Sequence, residues 1–224
     1  MIGGLISIAT GDLMEGGNPA HVIHITSLII VIPTAMFSAA TATESHALSA
    51  AFKELKMVFK KTPINFEERI DQIVDYAIMV KKNGVLALEK DVQLIEDAFL
   101  KEALGMVVDG SKEEQIEKFL EPIIEETEHY YHGASHYWLL AGETCPVMGL
   151  IGAVLGLILA LQKLDNPAEM AAGIAGAFTA TVTGIAGAYM FLGPWGNKMK
   201  GKAHLLIKEK QLILEGVKGI SRGD

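Results

Sequence analysis

Residues 142–196 hold two apolar stretches joined by a short polar link at Asp165-Asn166-Pro167. Each stretch is long enough to cross a bilayer, because about 20 apolar residues in a helix span ~30 Å of hydrocarbon. Neither carries a charge in its middle, and both are rich in Gly, Ala and Thr. Small residues let helix backbones approach closely, so the segment reads as a membrane hairpin built for tight packing.

The rest of the chain fits that reading only if its charges are kept apart from its apolar segments. A chain of 224 residues that is 50% hydrophobic, with a mean hydropathy of +0.31, is too apolar for an ordinary soluble domain, yet 21% of it is charged. Of its 19 Lys and Arg, 18 fall in residues 44–138 or 196–224, and Lys163 is the exception. The connections 11–20 and 162–168 are nearly free of basic residues. The positive-inside rule therefore puts the charged regions and both termini in the cytoplasm and the short links outside. A net charge of −8 argues against nucleic acid as a partner. The single cysteine, Cys145, excludes an intramolecular disulfide.

These features predict an all-α membrane protein with four transmembrane helices. Residues 1–13 read as the end of a first span whose beginning lies outside this sequence, and residues 21–43 as a second. Pro33 removes an N–H and frees the Ile29 carbonyl, so a kink is expected there. Residues 139–164 and 169–193 form the third and fourth spans, and 194–224 a helical tail. Residues 44–138 form a helical cytoplasmic insert with expected helices over 48–60, 66–82 and 85–107. Pro63-Ile64-Asn65 supplies a turn and cap, and Asn83-Gly84 a left-handed helix end. Asp109-Gly110 closes the third of these helices. Ser111-x-x-Glu114 reads as a capping box for a further helix that runs through Pro122 into the third span, a rigid stalk like the tail.

The candidate functional residues begin with an absence. No acidic or basic residue stands near the middle of spans two to four, whereas proton paths through membranes usually need an ionisable relay. A carboxylate for that purpose would have to come from a partner. Glu143, at the mouth of the third span, is either a proton entry or exit group or simply an interfacial carboxylate. Gly149, Gly152 and Gly156 share one helical face, as do Gly173, Gly176, Ala180, Gly184 and Gly187; close packing accounts for both rows. Thr179, Thr181 and Thr183 exceed what packing needs, although each hydroxyl can be satisfied by the preceding turn's carbonyl. Pro146 and Pro194 free the carbonyls of Gly142 and Met190 at matching depth, as punctuation or as a hinge pair. Glu125, His129, His132 and His136 share a face with metal-compatible spacing. They stand amid Tyr130, Tyr131, Tyr137 and Trp138, which favours an interfacial aromatic belt over a metal site.

The stretch Gly142-Glu143-Thr144-Cys145-Pro146-Val147-Met148-Gly149-Leu150-Ile151-Gly152-Ala153-Val154-Leu155-Gly156-Leu157 resembles the third-span signature of the MotA proteins. These are flagellar stator subunits in the MotA/TolQ/ExbB proton channel superfamily. Residues 179–194 resemble their fourth span, and Lys81-Lys82-Asn83-Gly84-Val85-Leu86-Ala87-Leu88-Glu89 and Val107-Val108-Asp109-Gly110 are similar to family segments in the same order. The resemblance implies no enzyme but an inner-membrane homopentamer around two copies of MotB, whose single span supplies the missing carboxylate. Protons would be the coupling ion, with no other cofactor and no metal. The insert would push on the rotor protein FliG through Lys81 and Glu89. Lys81 stands where arginine is more usual, which keeps the charge and loses the bidentate fork. Pro146 and Pro194 match the family's coupling prolines, and Thr181 its ion-path threonine. Sodium-driven members carry a threonine where this chain has Ala153, and a methyl group cannot ligate a cation that wants oxygen donors.

Two other readings remain. ExbB/TolQ-like energisers place one span, not two apolar segments, before the large cytoplasmic region. A structural membrane scaffold would use the same packing glycines without an ion path, and would tolerate volume-conserving changes at Pro146 and Thr181.

Overall fold

The computed structural model of this chain describes residues 2–17, 24–61 and 64–223. Pro63 of the expected turn, the first three residues of the second predicted span and residues 18–20 of the first link lie outside that set. The described residues contain no strand. Helices α1 (Ile2–Met14), α2 (Ile25–Thr41), α3 (Ser45–Lys53), α4 (Leu55–Phe59) and α5 (Phe66–Asn83) come first. A 3₁₀ turn (Val85–Leu88) leads to α6 (Glu89–Leu94), α7 (Ala98–Val108), α8 (Glu113–Leu161) and α9 (Pro167–Ala186). A π-helical segment (Gly187–Leu192) then runs into α10 (Gly193–Arg222). The chain divides into two compact units, one of residues 1–58 and 133–199, the other of residues 59–132 and 200–224.

In the first unit, α2 stays one helix through Pro33 and buries Ser27, Val31, Ala35 and Ala39, a face repeating every four residues. α9 opens on Asn166, whose side chain accepts from the Glu169 N–H, with Pro167 in the first turn where its missing donor costs nothing. α8 and the run Pro167–Arg222 are long and apolar enough to cross a membrane. Only 22% and 33% of their most apolar stretches are buried, with Leu150, Leu159 and Phe178 at 60–70% exposure. A soluble core helix would bury such a face; this one suits hydrocarbon or further helices. α2 is also apolar but shorter.

Of the aromatic residues expected as an interfacial belt, Tyr130 and Tyr131 are half-buried and meet edge-on at 5.2 Å. Tyr137 and Trp138 are almost wholly buried. The Trp138 indole donates to the Ala51 carbonyl at 3.1 Å and meets the rings of Phe52 and Trp195 edge-on, each 5.3 Å away. These two anchor α3 to α8, because an indole buried this deeply needs a partner for its N–H and finds one on a neighbouring helix. Glu125, His129, His132 and His136 are exposed. Among the described residues, no three His, Cys, Asp or Glu side chains are placed to hold a metal ion.

The second unit has its own apolar core. Ile73 of α5, Leu88, Val92, five residues of α7, and the Ile116–Leu120–Ile124 and Ile213–Val217–Ile220 stripes pack together. α5 ends on Asn83 with Gly84 at φ +79°, as glycine chemistry requires. The helix expected over 85–107 is broken in two. Residues 85–88 tighten into the 3₁₀ turn, and Asp97 starts α7 by accepting from the Phe99 and Leu100 N–H groups. Asp97 is a strong N-cap inside an otherwise helical pattern, so the backbone breaks where its side chain offers a partner. α7 ends in a Schellman motif: Ser111 N–H donates to Met106 O and Gly110 N–H to Val107 O, with Gly110 at φ +73°. The expected capping box does not form at Ser111; only its backward half is present, one residue later. Lys112 N–H, not Ser111 N–H, donates to a side chain three residues on, that of Gln115. Ser111 instead accepts at its carbonyl from the Ser221 hydroxyl of α10. From there α8 continues through Pro122 as one helix of 49 residues.

Lys218 of α10 is buried beside Glu113 and Glu117 of α8 and Glu215 of its own helix, at 3.7, 3.2 and 3.2 Å. Hydrogen bonds to Glu117 and Glu215 hold its ammonium above the usual lysine range. A pKa raised by folding stabilises fully below the unfolded value, and that stabilisation is lost as pH rises through the folded one. Lys218→Met should therefore destabilise the protein by about 1 kcal/mol near neutral pH. Melting curves in detergent should show the gap from the unaltered protein closing once pH passes the lysine range.

Candidate functional site

The centre of the first unit is a seam where α8 and the α9–α10 run come into backbone contact. A Cβ added at Gly149 would lie 2.9 Å from the Ala180 carbonyl oxygen and 3.1 Å from the Gly184 Cα. One added at Gly184 would lie 2.8 Å from the Cys145 carbonyl and 3.2 Å from the Pro146 Cα. Gly156 against Ala177, and Gly173 against Ala160, repeat the pattern toward the link. Of the glycines read as packing residues, only Gly176 has open space at its Cβ position. At Gly149, Gly156, Gly173 and Gly184 backbone atoms occupy the space opposite, whereas side chains stand over Gly152 (Ala180) and Gly187 (Ile32 and Cys145).

The two prolines sit within continuous helices, Pro146 inside α8 and Pro194 at the second residue of α10. The seam brings their surroundings together. Gly142, whose carbonyl Pro146 leaves without its helical donor, lies opposite Gly193, the residue before Pro194. A Cβ on Gly142 would be 3.0 Å from the Gly193 nitrogen. Immediately before Pro194 the helix widens into the π segment, and the Gly193 N–H donates five residues back, to the Ala188 carbonyl. Pro194 cannot serve the Met190 carbonyl, so the helix absorbs the missing bond by a wider turn. Gly193 permits that turn, since a Cβ there would meet the Ala188 oxygen at 2.8 Å. Sequence reasoning located the proline and missed the π segment; a glycine directly ahead of a proline in a span was the available signal.

The hydroxyls are satisfied locally. Thr179 donates to Gly176 O at 2.9 Å, Thr181 to Ala177 O at 3.4 Å and Thr183 to Thr179 O at 2.7 Å. Thr179 also lies 3.2 Å from the Ser27 hydroxyl of α2, and Ser27 lies 3.3 Å from His24 Nδ1. This part-buried hydroxyl pair between α2 and α9 is a polar link that sequence reasoning did not find. Ser27 stood out in the sequence only as a hydroxyl at the head of the apolar run 27–32. Ala153 and Thr181 are half-buried, and Glu143 is exposed on α8. No charged residue occurs in 25–41, 144–162 or 170–197. The seam can shape and hydrogen-bond an incoming group but holds no acidic or basic residue of its own.

Lys81 and Glu89 belong to the second unit and are not part of the seam. Lys81 stands in the last turn of α5 and Glu89 opens α6, both exposed. The 3₁₀ turn between them packs on α5 and is rooted by the fully buried Leu88.

The model of the MotA/TolQ/ExbB proton channel family matches residues 91–211. The chain belongs to that family. Among curated proteins it is 55% identical to Motility protein A of Helicobacter pylori, over 97% of this chain and 85% of the relative. It is 29% identical to Motility protein A of Bacillus subtilis, over 97% of this chain and 81% of the relative. A solved structure of C. jejuni MotAB covers all of this chain and 88% of that one, with a TM-score of 0.96 and 52% identity. The flagellar MotAB stator complex from Bacillus subtilis matches with a TM-score of 0.90 and 28% identity, again over all of this chain and 88% of that one. The family match contains the seam and both prolines; Lys81 and Glu89 fall outside it, within the segment shared with the Motility protein A relatives.

The seam geometry yields a contrast. Gly184→Val must push two backbones apart and should destabilise the protein by about 1–3 kcal/mol. Gly176→Val, with open space at its Cβ, should leave its membrane level and its melting temperature in detergent close to those of the unaltered protein.

Proposed function

We propose that this chain works as a stator subunit of a bacterial flagellar motor, converting proton flow into torque on the rotor. The observation that carries the reading is an acid-free seam of glycines, threonines and two prolines in a chain 55% identical to a Motility protein A. A proton channel family member whose own seam holds no acidic or basic residue needs a relay group from elsewhere. The solved relatives are MotAB complexes, and this supports MotB as the source of that carboxylate. In the arrangement we propose, five copies surround two of MotB in the inner membrane, with four crossings per chain and both termini in the cytoplasm. Residues 44–138 then form the cytoplasmic insert.

The mechanism follows from the residues in place. Protonation of the MotB carboxylate removes a charge from the seam, and the walls relax toward the neutral group. Thr181 and the methyl of Ala153 set the shape that it meets. Glu143 guards the cytoplasmic mouth. Pro146 and Pro194 each remove one rung from the hydrogen-bond ladder, so the helices can bend there at low cost and return. Lys81 and Glu89 present opposite charges to FliG, where contacts between exposed charges favour fast, renewable engagement over tight binding. The ExbB/TolQ alternative has less support, because the similar curated relatives named by role are motility proteins.

Replacing Pro146 by Ala restores the Gly142 hydrogen bond and should abolish rotation while the stator still reaches the membrane. Normal swimming by that variant would remove the proline from the mechanism. Ala153→Thr alone should leave swimming independent of sodium, since one added hydroxyl does not make an oxygen cage.

A further inference from the structure

Three helices of the second unit are held together by one guanidinium. Arg69 of α5 places Nη2 2.8 Å from Asp97 Oδ2 and 2.8 Å from Glu209 Oε1 of α10. Its Nε donates to the same Glu209 oxygen at 3.0 Å, and its Nη1 donates to Gln72 Oε1 at 2.9 Å. Asp97 divides its carboxylate: Oδ1 caps α7, and Oδ2 takes Arg69. The pairs are largely shielded, with side-chain exposures of 18% for Arg69, 13% for Glu209 and 32% for Asp97. A planar fork that reaches two carboxylates on different helices is arginine chemistry, which a lysine cannot reproduce.

The clamp lies where apolar packing leaves a gap. Between α5 and the stretch after Glu89 runs an open groove of about 700 Å³, lined by Arg69, Gln72 and Tyr76 on one side and by Asp91 and residues 94–97 on the other. Leu94 is 81% exposed beside it. The Glu89-bearing segment is thus rooted near its start by Leu88 and Val92, and fastened at its end by Arg69 across the groove. Lys210 is drawn to both acids but sits 4.4 Å over the Phe99 ring, where desolvation lowers its pKa. Without Arg69, Asp97 and Glu209 would lose the cation between them, and the start of α7 would be freed from α10.

We propose that Arg69 is a positioning residue for force transmission. It fixes the segment carrying Glu89 against α5 and α10, so that a push on the rotor is not lost in yielding of that segment. The inference rests on the rotor-facing role proposed above for Lys81 and Glu89. Its test uses bead-loaded motors in cells carrying the protein with its MotB and native rotor, where stepwise speed changes count the engaged stators and give torque per stator. Arg69→Gln should leave the number of engaged stators unchanged and cut torque per stator at least two-fold; Arg69→Lys should fall between. Full torque per stator in R69Q would overturn the inference, as would a loss confined to stator number, which marks a purely structural role. Should R69Q fail to reach the membrane, R69K decides on the same two readouts. Lys81→Ala and Glu89→Ala run alongside. If they lose torque and the Arg69 variants do not, only the positioning role falls. If they keep full torque, the rotor-facing reading falls and takes the inference with it.

Discussion

Everything in the first unit depends on the backbone-to-backbone contact between α8 and the α9–α10 run. Gly149 and Gly184 meet with no side chain between them, and the Cys145 and Ala180 carbonyls stand where a methyl group would be. That closeness is a packing solution for helices that gain nothing from burying oil in oil. It also determines what the seam can contain. No room and no partner are left for an ionisable side chain of this chain's own, and an unpaired charge at membrane depth costs several kcal/mol. In the proposed mechanism the titrating group accordingly comes from another chain.

The same contact aligns the two weak points of the helices. Gly142 lies against Gly193, so the carbonyl freed by Pro146 and the π turn ahead of Pro194 occur side by side. Two adjacent helices that each lack a rung at one level can bend together without breaking the rest of their ladders. The second unit uses a different chemistry: a continuous apolar core, then charged contacts such as Arg69–Asp97–Glu209 and Lys218–Glu117 where helices meet near solvent. In the proposed mechanism the first unit flexes at the level of the two prolines and the second holds its shape.

Much of this was legible in the sequence because the signals are local. Apolar length fixed the hairpin, Gly84 and Gly110 ended their helices, and the glycine rows announced close packing. The seam's prolines and threonines were visible as residue types at helical spacing. Three features escaped because they depend on non-local partners or on competition. Asp97 broke the helix expected over 85–107 because its carboxylate caps α7 and pairs with Arg69, 28 residues earlier. Trp138 and Tyr137 looked like a membrane belt, yet α3 covers them and the Ala51 carbonyl accepts a hydrogen bond from the indole N–H. The Ser27–Thr179 link joins residues 152 positions apart and had no signature in either span.

In the proposed function this chain, with a partner's carboxylate, turns proton flow into rotation. The most direct measurement is to express the protein with its cognate MotB in motile bacteria that lack a stator and retain the native rotor, and to score swimming in sodium-free medium. Swimming should return if the chain is a proton-driven stator subunit. Complexes that reach the membrane while the cells remain still would contradict it and favour the ExbB-like role.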